Sequence, residues 1–115
     1  MRRGDIFLID FEPVRGSEAN KARPAVVVSN DAANRSAERS GKGVVTVVPV
    51  TSNTSRVFAF QVALSAEECG LTKDSKAQCE QVRAVSPDRM RQRLGSVPKQ
   101  RMTELDAALR RHLAL

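Results

Sequence analysis

The chain has no tryptophan or tyrosine, one histidine and two cysteines in 115 residues. Cys69 and Cys79 stand apart with no C-x-x-C pair, so neither a zinc site nor a disulfide framework is expected, and both read as reduced structural thiols. The only rings are Phe7, Phe11, Phe58 and Phe60, which argues against an extended platform for stacking bases. Long apolar runs are missing too. The longest, Ala25 to Val28 and Val44 to Val50, fall far short of the about 20 residues that cross a bilayer. After Met1-Arg2-Arg3-Gly4-Asp5 there is neither the apolar stretch nor the cleavage site of a secretion signal. The expectation is a cytoplasmic protein with no membrane partner.

Acidic residues are also in short supply, 13 against 19 Lys and Arg, which leaves a net charge of +6. Such an excess favours a polyanionic partner such as nucleic acid, although the charges are dispersed along the chain. The length predicts a single domain over 1–115. A core of that size buries roughly 65% of the unfolded chain's surface, so help from a second subunit is in view.

What is present alternates short strands with turns. Residues 5 to 11 (Asp-Ile-Phe-Leu-Ile-Asp-Phe) read as a first strand ending at Pro13, and Val14 to Ala22 has loop composition. Pro24 biases Arg23 toward extended backbone, which puts Arg23 at a loop-to-strand junction before Ala25 to Ser29. Asn30 to Gly43 is open to either a short helix or irregular chain. Val44 to Val50 is a strong strand whose Pro49 suggests an edge or a bulge. Thr51 to Ser55 follows as a hydroxyl-rich loop. Phe58 to Leu64 is another strand, then Ser65-Ala66-Glu67-Glu68 has capping-box spacing and Gly70 suits a helix end. Gln78 to Val85 and Arg93 to Val97 complete the strands. Pro98 opens a last helix with Met102, Leu105, Leu109 and Leu113 on one stripe. This order predicts a small, mostly β barrel with short helices and a C-terminal α-helix.

Four separated blocks carry a family resemblance: Gly4-Asp5-Ile6 with Asp10-Phe11-x-Pro13 and Gly16-Ser17-Glu18; Arg23-Pro24-Ala25-Val26-Val27-Val28-Ser29-Asn30; Val48-Pro49-Val50-Thr51-Ser52-Asn53; and Glu80-Gln81-Val82-Arg83. In this order, and with Leu105-Asp106-x-Ala108-Leu109 at the end, they resemble the MazF/PemK toxins over nearly the whole chain. The resemblance implies an SH3-like barrel that forms a homodimer. It further implies a type II toxin, an endoribonuclease that cuts single-stranded RNA, messenger, ribosomal or transfer, at short sequences. The products would be a 2′,3′-cyclic phosphate and a 5′-hydroxyl. A cognate MazE-like antitoxin, with an acidic flexible segment, would hold the toxin inactive.

By the same resemblance Arg23 and Thr51 are the catalytic arginine and threonine. A guanidinium grips two phosphate oxygens at once as charge builds on them, and a threonine hydroxyl donates to a third. Because arginine is always charged, a phosphate clamp suits Arg23 better than a base. Glu18, Asn30, Ser52, Asn53, Glu80 and Gln81 offer groups suited to the edges of unpaired bases, and Lys21 and Arg56 suit the RNA backbone. Each of these also has an ordinary reading as a turn, pairing or surface residue. The single His112, beside the apolar stripe of the last helix, reads as structural. No tight carboxylate motif stands at a strand end, so no metal and no cofactor are expected. A rival reading is a CcdB-like poison of DNA gyrase on the same barrel. That class relies on an aromatic-containing tail, whereas this chain ends His112-Leu113-Ala114-Leu115.

Overall fold

A computed structural model of the chain describes residues 1–11 and 22–115. Seven strands and three helices follow one another as β1 (Asp5–Asp10), β2 (Ala22–Val27), α1 (Asp31–Ser40), β3 (Val45–Thr51), β4 (Gln61–Leu64), α2 (Ala66–Cys69), β5 (Ser75–Gln78), β6 (Arg83–Val85), β7 (Met90–Ser96) and α3 (Lys99–Leu113). All pairings are antiparallel, in the spatial order β4-β5-β3-β2-β1-β7, with β6 also on β3. The mostly β architecture with a C-terminal helix matches the sequence reading. The barrel is a bent sheet left unclosed, since β4 and β7 share no ladder among the described residues. The helix after β4 spans that gap: a Cβ added to Gly95 of β7 would stand 1.9 Å from the carbonyl oxygen of Cys69.

Both faces of the central strands are buried, as period-2 alternation requires of a two-sided sheet. On one face Ile6, Val26, Val48 and Val50 meet Leu64 and the Leu105 and Ala108 side chains of α3. On the other, Ile9, Ala25, Val27, Val45 and Val47 form a second cluster that Ala37 of α1 helps to cover. The α3 stripe is shorter than expected. Met102, Leu105 and Leu109 pack inward, but Leu113 in the last turn is exposed.

The open segment after Asn30 is helical because its ends are capped. Asn30 Oδ1 accepts from the Ala33 N–H at 2.8 Å, and Gly41 takes the left-handed conformation that ends a helix. The capping box at Ser65 and Glu68 forms as read, with Gly70 left-handed after it. Three boundaries differ. The predicted strand from Gln78 to Val85 is two strands, broken by a 3-10 turn at Cys79–Gln81. The run from Phe58 enters the sheet only at Gln61, and the last strand starts earlier, at Met90. Pro49 lies in the central strand and not at an edge. It sits where the β2–β3 ladder ends and where β3 changes partner from β6 to β5, so its missing N–H falls at a break in pairing.

The contact of β7 with α2 leaves no room for a methyl group on Gly95, and the atom in the way is backbone. Gly95→Ala is therefore expected to lower the unfolding free energy by about 2 kcal/mol. Urea denaturation of the variant beside the parent chain checks it.

Candidate active site

The β2–β3 register pairs Ala25 with Pro49, Val26 with Val48 and Val27 with Val47. Two residues beyond the end of that ladder, Arg23 and Thr51 occupy corresponding positions on the two strands. On its other edge β3 pairs Thr51 with Lys76 of β5. Directly opposed residues project from the same face of a sheet. Alternation also puts Arg23 on the face of Ala25 and Val27, and Thr51 on that of Val45 and Val47. A hydroxyl between two basic residues is the result. Arg23 is exposed, Thr51 half-buried and Lys76 buried.

Local hydrogen bonds prepare Thr51. Its Oγ1 accepts from the Asn53 N–H at 3.2 Å, and Asn53 Oδ1 in turn accepts from the Ser55 N–H and from the Ser55 hydroxyl. These are ST- and Asx-type turns, the reason such residues collect after a strand. With a lone pair of Oγ1 engaged by the loop, its O–H remains available to donate to an oxyanion.

The loop that follows is tied down from below. Phe58 N–H donates to Gln61 Oε1 at 3.1 Å, and Gln61 Nε2 donates to Glu80 Oε2 at 2.7 Å. Lys76 Nζ donates to the Arg56 carbonyl at 2.5 Å. Above these anchors the Phe58 and Phe60 rings stack in parallel, centroids 5.2 Å apart, and the Arg56 guanidinium lies 4.4 Å from the Phe58 centroid. Aromatic side chains thus enter the site as supports for a cation rather than as an open stacking surface.

Of the residues singled out in the sequence, Arg23, Thr51, Ser52, Asn53 and Arg56 gather at this end of β2 and β3, with Glu80 fixed beneath the loop by Gln61. Gln81 follows Glu80 in the same 3-10 turn and is exposed. Glu18 and Lys21 lie outside the described residues. Asn30 is not brought into the group: it lies beyond the far end of β2, about 20 Å of extended chain from Arg23, and its side chain is spent on capping α1. His112 is exposed in the last turn of α3.

Lys76 and Gln61 were missed by sequence reasoning. The strand Ser75-Lys76-Ala77-Gln78 is four residues long and polar at three of them, so no apolar run marks it. Arg83 also turns to the face of Arg23, since it opposes Val47, and its guanidinium lies 5.0 Å from the Phe11 ring. The thiols contribute nothing here. Burial pushes both Cys69 and Cys79 up to about 11, with neighbouring carboxylates adding to the effect, so neither is a thiolate at neutral pH. Among the described residues no group of three or more His, Cys, Asp or Glu is arranged to hold a metal ion.

Residues 2–113 match the family of PemK-like, MazF-like toxins of type II toxin–antitoxin systems. The chain is 55% identical to Endoribonuclease MazF9 of Mycobacterium tuberculosis, covering 100% of this chain and 98% of that one. With Endoribonuclease MazF of Staphylococcus epidermidis it shares 32% identity over 95% of this chain and 88% of the relative. Among solved structures, an endoribonuclease in complex with its cognate antitoxin from a mycobacterial species superposes with a TM-score of 0.78 at 25% identity, over 100% and 96% of the two chains. MazF from Deinococcus radiodurans shares the fold, with a TM-score of 0.76 at 23% identity over 100% and 97%. The gyrase-poison reading falls, because these relatives are endoribonucleases by name and span the whole chain. Framework, strand order and sequence agree, and the chain belongs to the PemK-like, MazF-like toxins of type II toxin–antitoxin systems.

Proposed function

We propose that the protein is the toxin of such a pair, a sequence-specific endoribonuclease that cuts single-stranded RNA without a metal ion. One observation carries the reading. Arg23 and Thr51, from two neighbouring strands, stand at corresponding positions on one face, two residues beyond the last pair of the β2–β3 ladder. The 2′-hydroxyl of the RNA attacks phosphorus, and negative charge gathers on the non-bridging oxygens. The Arg23 guanidinium takes two of these contacts in its planar fork, and the Thr51 hydroxyl supplies a third from a position the Asn53 N–H holds fixed. Departure of the 5′-oxygen leaves a 2′,3′-cyclic phosphate and a 5′-hydroxyl. Charge stabilisation and positioning are what Arg23 and Thr51 contribute; the protons travel through other groups. Ser52, Asn53 and Arg56 flank the scissile position and are suited to bases and backbone on either side.

The protein acts in the cytoplasm as a homodimer in this reading. No described helix is long and apolar enough to cross a membrane. A cleft of about 1020 Å³ between β4, the loop before it and α3 offers each copy a recess, bordered by the exposed Val57.

In EDTA the pure protein is expected to cut a long single-stranded RNA, leaving ends that polynucleotide kinase labels directly. Arg23→Ala and Thr51→Ala should each slow cutting about 10²–10³-fold, the effect of removing one preorganised donor to an oxyanion. Full activity in both variants, with circular dichroism unchanged, contradicts the site. An acidic antitoxin segment suits the net charge of +6 and competes with RNA for these cations. Adding the antitoxin's acidic segment as a peptide should therefore inhibit cleavage, and progressively less so as salt rises. An inhibition indifferent to salt contradicts shared binding.

A further inference from the structure

Lys76 is in an unusual position for a lysine. It is 8% exposed, yet among the described residues it makes no ion pair. Lysine is seldom buried unless paired, because burial strips water from the charge. Its partners among the described residues are neutral: the Arg56 carbonyl at 2.5 Å and the Phe58 ring, 5.9 Å from Nζ to the centroid. A carbonyl satisfies one of the three ammonium donors. Against the same ring, at 4.4 Å, lies the guanidinium of Arg56, also outside every ion pair of the described residues. The Glu80 carboxylate accepts from Gln61 through Oε2, and its buried Oε1 has no hydrogen-bond partner among the described residues. Two positive groups thus converge on one ring, with no carboxylate in ion-pair distance of either among the described residues.

The placement says which anion suits the pair. Lys76 is the direct cross-strand neighbour of Thr51, so it sits one strand over from the proposed scissile phosphate, on the side away from Arg23, and it is tied to Arg56 through the Arg56 carbonyl. A phosphodiester chain lying across the strands from Arg23 over Thr51 carries its next phosphate to this point. We propose that Lys76 and Arg56 form a second phosphate-binding subsite, which takes the RNA phosphodiester adjacent to the one held by Arg23 and Thr51. The assignment rests on the nuclease reading and extends it to a residue outside the motif. The Phe58–Phe60 stack and the Gln61 anchor preorganise Arg56, so little side-chain freedom is lost when RNA binds.

Counterion release tests this apart from catalysis. A uniformly 2′-O-methylated copy of an RNA that the protein cuts lacks the attacking hydroxyl and reports binding alone. The slope of log Kd against log salt falls by about 0.7 for each phosphate contact removed from a single strand. Lys76→Met is expected to flatten the slope by about 0.7, so that it loses about 2.5-fold less affinity than the parent between 50 and 200 mM salt. Arg56→Gln, at an exposed position that does not threaten folding, should do the same, and Lys76→Arg should restore the parent slope. A Lys76→Met variant that binds more weakly with an unchanged slope, or an Arg56→Gln variant with an unchanged slope, overturns the subsite. So does a result in which both variants lose an acidic peptide but keep the RNA slope, which would give these cations to a protein partner. A parent chain that cuts no RNA and binds none fails at the nuclease reading itself, and the two failures are told apart.

Discussion

Pairing between β2 and β3 is the constraint on which the rest depends. Arg23 belongs to the start of one strand and Thr51 to the end of the other, so only their register brings a guanidinium and a hydroxyl to one place. That register is held from both sides. Val26 and Val48 enter the core under α3, while Val27 and Val47 enter the core under α1. A slip by one residue would exchange the two sets, bury Arg23 and open both cores. Two hydrophobic clusters thus specify the position of two polar groups at the ends of their strands. Pro49 adds the break in the ladder, after which β3 exchanges β6 for β5 and so acquires Lys76 as the neighbour of Thr51.

Charge is distributed with the same division of labour. Arg3, Arg91, Arg93 and Arg101 are joined to Asp106, Asp10, Asp5 and Glu68 across distant parts of the chain. Each such exposed or half-exposed pair contributes little, at most about 1 kcal/mol. Their effect on the surface is larger, since they neutralise the flank built by β1, β7 and α3. Arg23, Arg56 and Lys76 are outside these pairs among the described residues, and by strand register Arg23 and Lys76 fall on either side of Thr51.

Most of the framework was legible in the residues. β-Branched runs marked β1, β2 and β3, the Ser65–Glu68 spacing marked α2, and Pro98 with the Leu105 stripe marked α3. Each of these signals is local, produced by alternation, capping or helical period. The placement of Arg23 near the start of β2 and of Thr51 at the end of β3 was legible from the flanking prolines and apolar runs. What stayed hidden depends on long-range pairing. Lys76 lies in a four-residue strand without an apolar run and gains meaning only from its neighbour across the ladder. Gln61 and Glu80, 19 residues apart, meet because β5 returns alongside β4 and pairs Gln61 with Gln78. Asn30 went the other way, since a motif position turned out to be occupied as the cap of α1. The role of Phe58 was equally invisible: as a composition count it was one of four phenylalanines, and in the fold it is the plate on which Arg56 rests.

The central claim is that Arg23 and Thr51 act on one phosphate in one transition state. A double-mutant cycle on kcat/KM with Arg23→Ala, Thr51→Ala and the combined variant measures that directly. Groups that share a bound oxyanion are coupled, so the combined loss should fall well short of the product of the single losses. Losses that multiply in full would mean that the two side chains act independently, and would contradict the account.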